Sequence, residues 1–127
     1  MARNVDGTRI PQTMHNDTTD TRGLDLYPAL REEADTVAVI VGITTARRDN
    51  VVMTPADLTI LGSVGKMPWI DSNDAGFAST TINWWQTVGA VAVPENGVDY
   101  VITVAFTTTA GRELKYSALQ RTSAHLG

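Results

Sequence analysis

Several short stretches carry the residue types that chemistry uses, and spacing decides what each can do. "LGSVGKM" (61–67) holds two glycines, a serine and a lysine. A phosphate-binding loop places Gly, four residues, then Gly-Lys-Ser/Thr, so that amides cradle phosphates and the hydroxyl holds Mg²⁺. Here Met67 follows Gly65-Lys66, and Ile60 stands at the first glycine position. A nucleophile elbow needs Gly two residues before its serine, and Leu61 precedes Ser63 there. Gly62 and Gly65 therefore read as loop residues. "DSNDAGFASTTI" (71–82) begins as a calcium loop does, with Asp71, Asn73 and Gly76 in place. Ala75 replaces an oxygen ligand, however, and Ile82 stands where the bidentate Glu is required, so a polar turn is the better reading.

His15 and His125 sit near the two ends of the sequence, and neither has His, Cys or Glu at ligand spacing. A catalytic base on a loose end conflicts with the preorganisation a Ser-His-Asp site demands. Glu32, Glu33 and Glu95 read as solvated surface charge. These tests leave no catalytic residue, metal site or cofactor to expect. "NWWQ" (83–86) remains. Aromatics beside Asn and Gln form sugar-stacking platforms or protein-binding hot spots. In a strand Trp84 and Trp85 point to opposite faces, so one belongs to the core and the other is exposed or covered by a partner. Trp69, beside Pro68, is a second candidate anchor.

Composition narrows the partners. With 43 % hydrophobic and 19 % charged residues among 127, the chain has the balance of one globular domain. Its net charge is −4 and its ten Lys and Arg are scattered, which argues against a nucleic-acid surface. Absence of cysteine excludes thiolate metal sites and disulfides. No apolar run approaches the ~20 residues of a membrane helix, so the expectation is a soluble protein.

The elements that must position these residues divide in two. Residues 1–25 are polar, with Val5, Ile10, Met14 and Leu24 following neither apolar period. They read as an extended N-terminal arm, either a loose terminus or a segment that orders across a neighbouring subunit. Ile10, Pro11, Met14 and Leu24 are its contact candidates, joined by Trp69 and Trp85. Residues 26–127 form the domain. "LYPALREEAD" suits a short helix or an edge strand, and the β pattern after it favours the strand. "DTVAVIVGIT" reads as a central strand with Val37, Val39, Val41 and Ile43 on one face. "VVMT" (51–54) reads as a return strand, "ADLTILGS" as another strand, and "GKMPWIDSNDAG" as a long loop. Ile82, Trp84, Gln86 and Val88 alternate with Thr81, Asn83, Trp85 and Thr87. After the "PENG" corner, Tyr100, Ile102, Val104 and Phe106 share an inward face. A Gly111 turn leads into a last strand with Leu114, Tyr116 and Ala118 inward. Short strands at this spacing predict an antiparallel β-sandwich of about seven strands.

"PENGVDYVITV" resembles the corner of immunoglobulin-like and fibronectin-type-III-like sandwiches. There a Gly precedes a Tyr whose hydroxyl bonds to upstream backbone. Gly97 and Tyr100 match those positions. "YVITVAFTTTAGREL" is similar to small Ig-like structural proteins of tailed bacteriophages, both capsid decoration (cement) proteins and fibre–tail adaptors. The resemblance spans residues 34–119. It implies an Ig-like fold and a non-catalytic virion protein, made in the host cytoplasm and present in many copies or as a homo-oligomer. Its partners would be capsid or tail proteins. A carbohydrate- or receptor-binding module using Trp69, Trp84 or Trp85 is the alternative from another class.

Overall fold

The computed structural model describes residues 3–5, 12–15, 18–55, 57–89 and 98–123. They build nine strands: β1 (Arg3–Val5), β2 (Gln12–His15), β3 (Thr18–Asp25), β4 (Val37–Arg47), β5 (Leu58–Ile60), β6 (Trp69–Asp71), β7 (Thr81–Val88), β8 (Val98–Thr108) and β9 (Glu113–Ser123). One helical turn, α1 (Tyr27–Leu30), and a 3₁₀ turn (Arg31–Glu33) separate β3 from β4.

The strands form a two-sheet β-sandwich. One sheet runs β1-β3-β7-β5, with β6 also on β7, and the other runs β2-β9-β8-β4. Strands β3 to β9 pair antiparallel throughout, four in the first sheet and three in the second. β1 and β2 add to them in parallel, on β3 and β9. Immunoglobulin-type sandwiches order their strands A-B-E-D and C-F-G, and the neighbours β1-β3-β7-β5 and β4-β8-β9 follow that scheme. β5 pairs with Gln86–Val88 and β6 with Thr81–Asn83, so together they are one edge strand interrupted by residues 61–68.

β8 shows most directly how the sequence makes the core. Val98, Tyr100, Ile102, Val104, Phe106 and Thr108 are buried, and every residue between them is partly exposed. This is the period-2 pattern of a strand with one face on the core. Ile82, Trp84 and Val88 of β7 meet it from the other sheet, with Leu24, Leu26 and Leu30 closing one end. The core also carries a polar tie between the sheets. The Gln86 and Gln120 side chains exchange amide hydrogen bonds of 2.8 and 2.9 Å. Trp84 Nε1 donates to Gln86 at 3.0 Å, and Arg22 Nε donates to Gln120 at 3.2 Å. Buried polar groups are tolerated when their hydrogen bonds are made, and here those bonds also fix the two sheets to each other.

Several expectations change. The arm does not extend to residue 25: β3 pairs with β7 along its whole length, and Leu24 is 2 % exposed. Eight residues, six of them polar, hid a strand whose inward positions are Arg22 and Leu24. "LYPALREE" is helical rather than an edge strand. Pro28 fits the first turn, where its missing N–H costs nothing, and the Asp25 carboxylate accepts the Tyr27 N–H at 2.9 Å. Val51–Thr54 is loop, held by Asp57, which accepts from the Thr54 amide and hydroxyl. β4 is an edge strand, not a central one. Register shifts between Val37 and Val39 and between Ile40 and Gly42 break the face expected of its valines. Val39 and Val41 turn outward at 56 and 66 % exposure, while Ile40 and Ile43 pack on the core. Leu114 and Ala118 face inward as expected, whereas Tyr116 is exposed and stacks at 6.1 Å from Phe106.

Candidate binding face

Because β7 turns Ile82, Trp84, Gln86 and Val88 inward, Asn83, Trp85 and Thr87 lie on the outer face of the first sheet. β6 sets Trp69 opposite Asn83, and β3 sets Gly23 on its other side. Trp69 and Trp85, sixteen positions apart in sequence, are thereby placed on one outer surface. Both are half-buried. Asn83 is 4 % exposed although it faces outward. β5 adds Thr59 opposite Thr87, whose hydroxyl accepts from Thr19 at 3.3 Å.

The interruption in the edge strand finishes this face. The Leu61 N–H donates to the Trp85 carbonyl at 2.9 Å, tethering the start of the 61–68 segment beside the tryptophan. A turn closed from Lys66 N–H to the Ser63 carbonyl follows, with Gly65 at φ +84°, where a side chain would be strained. It brings Lys66 Nζ to 3.9 Å above the Trp85 ring, a cation–π contact of about 0.5–1 kcal/mol at an exposed site. Val64 and Met67 project into solvent from the same segment. The face and its bordering segment thus offer two indoles, two exposed aliphatic side chains and one ammonium.

The Tyr100 corner is scaffold beneath the other end. Its hydroxyl donates to Asp57 Oδ1 at 2.6 Å, so the acceptor is a side chain on the β4–β5 connection rather than upstream backbone. Burial, then the Asp57 hydrogen bond and charge, push the phenol well above its ordinary range. Burial also pulls the Asp57 carboxyl up. The Tyr100 hydroxyl, the Thr54 amide and hydroxyl, and the Arg47 charge outweigh it and hold the carboxyl below the usual range. Neither group is poised to exchange protons near neutrality.

At the opposite end Asp35 clamps the β8–β9 turn. It accepts from the Ala110 N–H at 3.1 Å and from the Thr36 N–H at 2.9 Å, and it pairs with Arg112 at 3.1 Å. The Thr108 hydrogen bond leads these in holding its carboxyl at about 2, against the cost of burial. Gly111 sits in this turn at φ +88°, the left-handed residue that a three-residue hairpin needs.

Of the expected contact residues among those described, the structure brings Trp69 and Trp85 together. Leu24 is core, and Met14 lies on β2 opposite Thr122. Ile10, Pro11 and Gly97 fall outside the described residues. Lys66, Val64 and Met67 were missed, since nothing in "LGSVGKM" reveals that its loop folds beside a strand twenty residues later. Among the described residues no group of three His, Cys, Asp or Glu side chains is placed to hold a metal ion, and no helix is long and apolar enough to cross a membrane. Compared with known proteins, the chain matches no family model and no curated protein.

Proposed function

We propose that this protein is a non-catalytic structural component of a tailed-phage virion, decorating or cementing the capsid through its arm and the edges of its sandwich. The observation that carries this reading is the use made of the N-terminal residues. β1 and β2 extend both sheets by short parallel pairings of three and four residues. Pairings this small gain little intrachain stability and are the kind of strand addition that joins one chain to another. The similarity of Tyr100–Leu114 to virion proteins supports the same reading. Modest contacts repeated over many symmetric copies would suffice through avidity. A fibre–tail adaptor uses the same features against a tail partner.

A glycan- or receptor-binding reading is favoured by one observation, the presence of Trp69 and Trp85 on a single outer face. A sugar stacking on Trp85 would displace Lys66 from the ring, which counts against it.

Co-sedimentation of the purified chain with empty capsids and with isolated tails tests the first reading. Removing residues 2–17, which spares β3, should reduce binding at least tenfold, and Trp85→Ala should leave glycan-array binding at background. Equal particle binding with and without residues 2–17 would refute the arm's role. Loss of a glycan signal in Trp85→Ala, with particle binding intact, would favour the second reading.

A further inference from the structure

We infer that the outer face at Trp69 and Asn83 is a docking site for an extended, proline-containing peptide of a partner protein, with an acidic residue near the proline. The face carries polar groups that the fold leaves unused. Asn83 is 4 % exposed and faces outward, and among the described residues its amide has no hydrogen-bond partner. Two positions earlier on the same face, Thr81 is 2 % exposed and its Oγ1 is likewise without a partner. The inner face of the same strand meets such demands, since Trp84 Nε1 and the Gln86 amide are both bonded. An unpaired buried polar group costs about 1–3 kcal/mol. Two of them at successive outward positions of one strand point to polar atoms supplied from outside the chain.

The register sets the tryptophans around them. Trp69 stands directly opposite Asn83 on β6, Trp85 lies two positions along β7 on the same face, and Gly23 of β3 adds no side chain. Asn83 is thus recessed between two larger neighbours. Among the described residues neither of these indole N–H groups has a hydrogen-bond partner, and the Lys66 ammonium pairs with no carboxylate. Its contact is the Trp85 ring, at 3.9 Å.

These groups select the ligand. Indole N–H and ammonium groups only donate, so donors outnumber acceptors and the complement is rich in acceptors. A peptide in the polyproline conformation presents carbonyls that make no internal hydrogen bonds, and proline brings no N–H of its own. Its rings dock against aromatic side chains. A sugar hydroxyl, by contrast, brings a donor with every acceptor. Lys66 lies on the Trp85 ring, so the proline takes Trp69, and nearby carbonyls accept from Asn83 and the Trp85 indole. Diagonal neighbours across a β-pair, as Trp69 and Trp85 are, stand about 7–8 Å apart. That is roughly two to three residues of a chain rising ~3.1 Å each, which places the acidic residue at Lys66. The inference rests on this face and not on the virion reading.

The test titrates the full chain, labelled with nitrogen-15, with blocked oligoproline peptides carrying one glutamate. Peptides with glutamine for glutamate, or alanine for every proline, are the controls. The indole N–H signals of Trp69 and Trp85 and the side-chain amide of Asn83 should shift. The Trp84 indole, bonded to Gln86 inside the core, should stay in place and report an intact fold in every variant. Trp69→Ala and Asn83→Leu should each weaken binding about tenfold, as the loss of an aromatic anchor or of a hydrogen bond does. Lys66→Gln should remove the preference for the glutamate peptide over its glutamine version. Absence of any shift at millimolar peptide would overturn the inference. So would shifts that neutral oligosaccharides produce and the peptides do not, or peptide binding that both Trp69→Ala and Asn83→Leu leave intact. Equal binding of the glutamate and glutamine peptides by the wild-type chain would overturn the acidic requirement.

Discussion

Tyr100 and Asp35 hold opposite ends of the sandwich with the same device, a buried carboxylate that gathers donors from distant chain. Tyr100→Phe keeps the ring packing and removes the donor that Asp57 accepts at 2.6 Å. An under-satisfied buried group costs about 1–3 kcal/mol, and denaturant unfolding should show that loss without a change in slope. Asp35 sets an acid limit. Its folded pKa of about 2 lies below the ordinary 3.8, so its contribution is complete above the unfolded value and is lost as pH falls through the folded one. Asp49, Asp57 and Asp99 are shifted the same way, by Arg47, by the Tyr100 and Thr54 contacts, and by Arg121. Melting temperature should therefore fall between about pH 4 and pH 2, and Asp35→Asn should be less stable at pH 6 with a flatter acid decline. Tyr100 was legible as an inward residue from its alternation with Ile102, Val104 and Phe106. Its partner was not, because Asp57 lies 43 positions upstream on a loop with no periodicity.

At the scale of elements, regular alternation was legible and its interruptions were not. β7 and β8 follow directly from their sequences, since every second residue but Gln86 and Thr108 is apolar or aromatic and β-branched or aromatic residues prevail. β3 defeated the same reasoning. "TTDTRGLD" has one apolar side chain, and its inward Arg22 is satisfied by Gln120 and Asp20, partners that no local pattern announces. β4 failed differently, because two bulges invert its faces midway. These corrections fix where the arm can be cut. A deletion of residues 2–17 should retain a cooperative unfolding transition. A deletion of residues 2–25 removes a strand paired along all of β7 together with core residue Leu24, and it should abolish that transition. Circular dichroism melts of the two proteins make the comparison.

Over the whole molecule, the two sides of the sandwich are finished unequally. On one side β1 and β2 lengthen both sheets, while on the other β4 and β5 leave an open groove. The candidate binding face was legible only as a pair of separate tryptophans. Bringing them together required knowing that residues 69–71 return to β7 after an excursion, a long-range fact that short-range spacing does not contain. The Gln86–Gln120 tie has the same character: each glutamine alone reads as surface, and only the facing of two sheets makes them a buried pair.

The pairing of β2 with β9 also has a consequence in time. Gln12 meets Gln120, so roughly a hundred residues must be translated between the two partners. At about 5–20 residues per second, that leaves β2 without its place for some 5–20 seconds on every ribosome. During that interval the N-terminal segment is a strand in search of an edge, and β4, already synthesised and uncharged from Val37 to Ala46, is an edge in search of a strand. In cells making many copies at once, encounters between neighbouring nascent chains compete with completion of each fold, so the order of synthesis, as well as final stability, helps decide which edges meet.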